Sequence, residues 1–111
     1  MAKFGLLYIG GGAPESEAER AVAMQAWGAW FGGLGSALVD GGNAFTANTK
    51  TITSTGTVSE SSSLELPVTG YSVVKADSLD AAIALAKGCP LLRSNSRSQI
   101  TVYEVDETLG M

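Results

Sequence analysis

The stretch "TGYSVVKADSLDAAIALAKGCP", residues 69–90, decides the class of fold. Its β-branched and aromatic residues predict a strand over residues 68–76. Ser78 is a good N-cap for a helix that follows, Gly88 suits the position after its last turn, and Pro90 prevents its continuation. The segment therefore predicts a strand followed by a helix. The residues predicted to form the buried stripe of this helix are Leu79, Ala82, Ile83 and Ala86.

An earlier segment repeats this pattern of a strand followed by a helix. "KFGLLYI", residues 3–9, predicts a strand with apolar side chains on both faces. A helix is predicted from about Glu15, and its apolar residues recur at spacings of three and four, which places them on one buried face. These residues are Ala23, Trp27, Trp30, Phe31 and Leu34.

The remaining segments predict two more strands and the connections between elements. "ALVDGGN", residues 37–43, predicts a turn, and the Thr-rich residues 44–58 predict an extended stretch with a turn at 54–56. The serines and the proline of residues 59–67 are typical of a loop. "QITVYEV", residues 99–105, predicts the last strand.

The order of elements predicts one α+β domain over residues 1–111, with a ferredoxin-like βαββαβ topology. In this topology, both helices pack on one face of an antiparallel sheet. The other face should then be polar, yet Tyr71 and Val73 oppose Val74 and Ala76 on the same strand. A second copy of the sheet would cover such a face, so we expect a homodimer packed sheet to sheet.

Composition excludes several classes of function. The net charge is −4 with seven basic residues and no basic cluster, so a nucleic-acid partner is not expected. With no histidine and a single cysteine, a Ser–His triad is impossible, and we expect no metal site and no cofactor. The apolar residues 4–9 are too short for a membrane span or a signal peptide. Together with the lone Cys89, this predicts a cytoplasmic protein without a membrane partner.

Several segments together resemble the YCII-related family, which includes the DGPF-type proteins. They are "KFGLLYIGGG" (residues 3–12), the tryptophan helix, "LGSALVDGGN" (residues 34–43), "TGYSVVKADSLDAAIALAKGCP" (residues 69–90) and "ITVYEV" (residues 100–105). The resemblance covers most of the chain and implies a ferredoxin-like fold that dimerises into an α+β barrel.

The chain departs from the family at the positions that carry its suggested chemistry. Members near the founding proteins are thought to have a histidine on the first helix, proposed to act in acid–base chemistry with a nearby aspartate. Residues 25–30 contain tryptophan and no histidine, and "ESSSLELPVTG" occupies the region of the DGPF tetrapeptide. Asp40 is the one residue that fits the acidic partner, so the resemblance implies no complete catalytic site.

Aromatic residues provide the first candidates for a binding site. Trp27 and Trp30 would stack a planar ligand at a pocket mouth, although large aromatics on a buried helical face more often fill a core. Tyr8 and Tyr71 would present hydroxyl groups to the interior of a barrel, and packing in the core or the dimer explains them equally well.

The "VDGGN" segment provides the polar candidates. Asp40 would act as an acid–base residue and Asn43 would bind a polar group of a ligand, whereas the alternative is a turn in which both cap backbone amides. Cys89 is interpreted as a small buried residue, because no histidine can activate it. "GGGAP", residues 10–14, lacks the spacing of a phosphate-binding loop.

Two functions from different classes follow, and a third stays open. The first is a small-molecule binding module with a pocket in the homodimeric barrel, and the absence of histidine favours it. The second is a cofactor-free enzyme in which Asp40, with Tyr8 or Tyr71, transfers protons on a small organic substrate. The third is an accessory or assembly domain without a ligand.

Overall fold

The computed structural model describes residues 1–11, 16–60, 66–94 and 96–109. Two α-helices and six strands lie in these ranges, together with short 3-10 helices at Gly35–Ala37 and Pro90–Arg93. The strands are β1 (Ala2–Ile9), β2 (Leu38–Ala44), β3 (Thr51–Ile52), β4 (Val58–Ser59), β5 (Val68–Ala76) and β6 (Gln99–Glu104), and the helices are α1 (Glu17–Leu34) and α2 (Leu79–Ala86).

Four strands form one antiparallel sheet in the order β2-β5-β1-β6. Helix α1 connects β1 to β2 and α2 connects β5 to β6, so each such pair of strands is separated by one antiparallel strand. This is an α+β architecture compatible with the predicted ferredoxin-like fold. The short strands β3 and β4 form a separate hairpin.

The core lies between the sheet and the two helices. Side chains alternate along each strand, and one side of the sheet carries the fully buried residues. The largest fully buried side chains on this side are Phe4 and Leu6 of β1 and Ser72 and Val74 of β5, together with Cys89 after α2. Both helices pack on this side, through Ala82 and Ala86 of α2 and through the two tryptophans of α1. The predicted burial of Cys89 is confirmed.

No helix of the described ranges packs on the opposite side of the sheet, which we call the open face. The strand registers place three rows of residues across its centre. In the row nearest the end of β1, Ile9 lies beside Gln99, and in the next row Leu7 lies between Tyr71 and Thr101. The third row consists of Val73, Gly5 and Tyr103. The predicted apolar character of both faces is therefore present in the structure.

Strand β2 corrects the prediction of a turn at residues 37–43. The chain is extended from Leu38 to Ala44 and pairs with β5, and two register shifts absorb the extra residues of the glycine-containing segment. Gly42 provides the positive φ of 74° that the second shift requires. The turn predicted at residues 54–56 is confirmed, because it closes the β3–β4 hairpin.

Half of the buried stripe predicted for helix α2 is wrong. Its N-cap is Ser78, as predicted, and its side chain accepts a hydrogen bond from the Ala81 backbone at 3.1 Å. Ala82 and Ala86 are buried, whereas Leu79 and Ile83 are exposed. The reason is that α2 turns toward α1 on its other side, where Leu85 packs on the core.

Helix α1 has the predicted aromatic side, but none of its residues is fully buried. Ser16 caps its first turn, and Gly35, with a φ of 55°, follows its last residue. The predicted start near Glu15 and the "GGGAP" segment fall mainly outside the described residues, as do residues 61–65 of the predicted loop. Neither helix is long and apolar enough to cross a membrane, within the portion of the chain that the structure describes.

Candidate functional site

The six predicted site residues do not converge on one place. Tyr8, Trp27 and Trp30 lie on the helix side of the sheet, in or beside the core. Asn43 and Tyr71 pair with each other across β2 and β5, and their side chains meet at the edge of the open face. The sheet therefore separates two candidate regions, which differ in burial and in their polar groups.

The helix side contains a buried chain of hydrogen bonds. The Tyr8 hydroxyl, in a residue that is 5 % exposed, donates to Ser72 Oγ at 2.7 Å. Ser72 Oγ in turn donates to the backbone carbonyl of Gly41 at 2.7 Å. The chain links three strands of the sheet, and its hydroxyl donors are both used internally. Sequence reasoning missed Ser72, although its place in the alternation of β5 puts it on the same side as Val74.

The tryptophans complete the contact between the helices and the sheet. Trp27 packs edge-on against the Tyr8 ring, with centroids 5.1 Å apart, and Trp30 packs edge-on against Trp27 at 5.8 Å. The indole nitrogen of Trp30 donates to the Leu85 carbonyl at 3.1 Å, which joins α1 to the last turn of α2. Both tryptophans therefore pack between the helices and the sheet, and Trp30 also makes a structural hydrogen bond.

Burial on the helix side raises the pKa values of the Tyr8 hydroxyl and the Cys89 thiol. Burial raises the pKa of Tyr8 to about 12, with a smaller opposing contribution from the Ser72 hydrogen bond. Burial likewise raises the pKa of the Cys89 thiol to about 11. Both groups are therefore neutral near pH 7, which is unfavourable for Tyr8 as a base and for Cys89 as a nucleophile.

These pKa values predict a loss of stability at alkaline pH. Well below pH 9 both groups are protonated in the folded and unfolded chains, and their contribution to the free energy of unfolding is constant. Between about pH 9 and 11, the Cys89 thiol ionises in the unfolded chain but stays protonated in the folded chain, which favours unfolding. The Tyr8 hydroxyl has the same effect between about pH 10 and 12. We expect urea midpoints to fall from pH 9 upward.

A matched variant isolates the contribution of the Cys89 thiol. In Cys89→Ala, the fall in the urea midpoint should begin about one pH unit higher than in the wild type, because Tyr8 alone then contributes. Identical pH profiles for the two proteins would contradict the assigned effect of burial on the thiol.

The open face carries a polar pair beside an aromatic ring. Asn43 Nδ2 donates to the Tyr71 hydroxyl oxygen at 3.2 Å. The Phe45 ring packs beside Tyr71 in a tilted arrangement, with a centroid distance of 5.9 Å, and Phe45 remains 49 % exposed. We call Asn43, Phe45 and Tyr71 the edge cluster. Its amide and ring are accessible, in contrast to the groups on the helix side. Phe45 was not predicted as a site residue. The only signal for it in the sequence is its position two residues after Asn43.

Asp40 caps a local backbone amide, which is the alternative to an acid–base role that the sequence left open. Its Oδ1 accepts the Gly42 backbone N–H at 2.8 Å, and the side chain is exposed. The register places Asp40 opposite Val73, with a shift in the strand between it and Asn43. The carboxylate therefore stabilises the irregular part of β2.

Within the described residues, no three Cys, Asp or Glu side chains are grouped so that they could hold a metal ion, and the sequence has no histidine. No protein-family model matches the chain. No curated protein matches it either.

Proposed function

We propose that this chain is a YCII-related small-molecule binding protein that works as a homodimer, with its ligand site at the edge cluster. In the dimer, the open faces of two sheets pack against each other to form an α+β barrel. The ligand lies at the rim of that barrel, between Asn43, Phe45 and Tyr71 of one subunit and the sheet of the other.

The apolar open face is the observation that carries this proposal. Its central rows combine aliphatic and aromatic residues of β1 and β5 with Gln99, Thr101 and Tyr103 of β6, and Tyr103 is 58 % exposed. The row of Lys3 and Lys75 borders them. Contiguous apolar surface of this kind marks interaction sites in proteins that otherwise keep such surface small. An antiparallel sheet with a fully hydrated second face would instead place polar side chains at Leu7, Tyr71 and Val73.

The total accessible surface agrees with a missing partner. The chain exposes 7694 Å², whereas a compact monomer of 11.4 kDa exposes about 5,800 Å². Its radius of gyration is 15.3 Å, against about 13 Å expected for this length. The excess area is larger than the roughly 800 Å² that one partner contributes to a standard interface.

The edge cluster has the composition of a small-molecule site. Such sites are mostly apolar and contain a few polar groups that fix the orientation of the ligand. The Asn43 amide and the Tyr71 hydroxyl are the polar groups, and the exposed Phe45 ring offers a face for stacking. A planar molecule with one hydrogen-bonding group fits this arrangement.

The fluorescent probe anilinonaphthalene sulfonate tests the proposal, because it is planar, aromatic and carries a polar group. We expect saturable binding of one probe per subunit. Replacing Asn43 by alanine should weaken binding about fivefold, since one hydrogen bond contributes about 1 kcal/mol. Asn48→Ala is the matched control, because Asn48 is an exposed asparagine in the segment that follows β2, outside the cluster.

Two results would overturn the binding function. One is the absence of saturable binding by the wild type, which would leave the accessory domain as the better description if the dimer persists. The other is equal weakening by Asn43→Ala and Asn48→Ala, which would remove the edge cluster from the site. Light scattering across a dilution series, run in parallel, reports separately on the dimer.

A further inference from the structure

Two lysines lie directly opposite each other at the border of the open face. The register pairs Lys3 of β1 with Lys75 of β5, and each is one residue from the end of its strand. The next pair, Phe4 and Val74, is fully buried on the helix side, so the alternation places both lysines on the open face. Directly opposed residues of an antiparallel pair have Cβ atoms roughly 5 Å apart. Two positive charges therefore share one end of this face.

Neither of these charges has a partner among the described residues. Lys50 and Glu60, which flank the strands of the hairpin, form an ion pair, whereas the two opposed lysines form none within the described ranges. Two acids come near them in register or in sequence. Asp40 of β2 directs its carboxylate to the Gly42 N–H, and Asp77 is an exposed residue that follows β5. Each lysine therefore lacks a counter-charge from the part of the chain that the structure describes.

This arrangement is unfavourable for the sheet alone. Like charges directly opposite each other destabilise an antiparallel pair of strands. Proteins break such local rules mainly at functional sites. The chain has 11 acidic and 7 basic residues, so the absence of a carboxylate beside the pair does not come from a shortage of acids. A negatively charged group from another molecule would compensate the two lysines, and this fixes the charge of what binds there.

The lysine pair and the edge cluster lie along the same strand. Tyr71 and Lys75 are four residues apart on β5, which corresponds to about 14 Å at the usual rise of a strand. Val73 lies between them on the same face, so the surface that joins them is apolar. The flexible stem of a lysine covers part of this distance. The two regions therefore define an elongated strip with hydrogen-bonding groups at one end and positive charge at the other.

We propose that the ligand is an organic anion with a planar apolar body, and that Lys3 and Lys75 bind its carboxylate, sulfonate or phosphate group. The apolar body lies over Val73, and its other end meets the edge cluster. Because both lysines are at the border of the face, the anionic group stays in contact with water at the rim of the barrel. The inference rests on the proposed binding function and adds the chemical class of its ligand.

Two probes that differ only in charge test this inference. Anilinonaphthalene sulfonate is an anion, and uncharged anilinonaphthalene has the same rings without the sulfonate. Fluorescence titrations at low ionic strength, where surface charges are least screened, give the dissociation constants. In the double variant Lys3→Gln/Lys75→Gln, we expect the dissociation constant of the sulfonate to rise at least fivefold, because two contacts between opposite charges are lost. That of the uncharged probe should stay within twofold of the wild-type value.

The double variant Lys87→Gln/Arg93→Gln is the matched control. It removes the same amount of charge from two exposed residues that belong to the helical layer. Its dissociation constants for both probes should stay within twofold of the wild-type values. The urea midpoint of Lys3→Gln/Lys75→Gln should equal or exceed that of the wild type, because the variant removes the opposed like charges. Weaker binding by this variant would then not come from a loss of folding.

The outcomes separate this inference from the function on which it rests. If the wild type binds neither probe saturably, the binding function and the anion site are both overturned. If Asn43→Ala weakens binding but Lys3→Gln/Lys75→Gln does not, the anion site is overturned and the binding function stands. Equal weakening of both probes by the lysine variant also overturns the anion site, because the effect would not depend on charge. Weakening of the sulfonate alone, with the control unchanged, supports both.

Discussion

Replacing Gly42 by alanine should destabilise the fold by about 3 kcal/mol or more, a large part of the 5–15 kcal/mol of a typical domain. The φ of Gly42 is 74°, which is costly for any residue with a side chain. An added Cβ would also overlap the backbone carbonyl of Tyr71, with its carbonyl carbon only 2.7 Å away. Strand β2 would have to leave β5 locally. Urea unfolding followed by tryptophan fluorescence measures the change.

The neighbouring Gly41→Ala is the control for this prediction. Gly41 does not have a positive φ, and an added Cβ there meets nothing within 4 Å. Its effect should stay below about 1 kcal/mol, as for an unstrained strand position. Equal losses in the two variants would mean that the irregular backbone of β2 does not depend on Gly42. Gly42→Ala should also weaken probe binding, because the displaced strand carries Asn43.

Replacing Ser72 by alanine should cost about 2–3 kcal/mol, although it removes a single oxygen atom. Ser72 is fully buried, and its hydroxyl both accepts from Tyr8 and donates to the Gly41 carbonyl. The variant leaves the Tyr8 hydroxyl in the core without its acceptor. An unsatisfied buried group costs about 1–3 kcal/mol. The free energy of unfolding from urea titration at pH 7 gives the value.

A double-mutant cycle shows whether this cost comes from the hydrogen bond. In a Tyr8→Phe background the orphaned hydroxyl is absent, so Ser72→Ala should cost about 1 kcal/mol less than in the wild type. Purely additive effects would indicate that the loss comes from packing around Ser72. Tyr8→Phe alone should be the milder change, since Ser72 can still donate to Gly41.

The architecture was predictable from residues 69–90 because local and long-range signals agree there. Ser78, Gly88 and Pro90 mark the ends of α2, and the strand predicted over 68–76 matches β5 residue for residue. The alternation along this strand also predicted an apolar open face. The YCII resemblance, the homodimer and the cytoplasmic location stay predictions.

Strand β2 was not predictable, because its glycines and aspartate are typical of turns when considered locally. What makes the segment a strand is its pairing with β5, which holds Gly42 in a conformation available to few other residues. Helix α2 shows the same limit. Its spacing permits two adjacent stripes, and only the packing of Ala82, Leu85 and Ala86 in the core shows which one faces inward.

The sequence could identify candidate site residues by their type, but it could not show which of them lie together in the fold. Tyr8 and Tyr71 both lie on central strands, and only the register assigns them to opposite sides of the sheet. Ser72 and Phe45 gave no signal of their own, because their roles depend on groups distant in sequence. Asp40 fits both a turn and a site in the sequence, and only the Gly42 hydrogen bond favours the turn.

The separation of the aromatic residues by the sheet gives the protein two optical reporters. Both tryptophans lie on the helix side, and Tyr8 is close enough to Trp27 for its excitation energy to pass to the indole. The other two tyrosines, Tyr71 and Tyr103, lie on the open face. Tryptophan emission therefore follows loosening of the helical layer, while a change in tyrosine absorbance without a change in tryptophan emission follows events on the far side of the sheet. Unlabelled wild-type protein can report both in one cuvette.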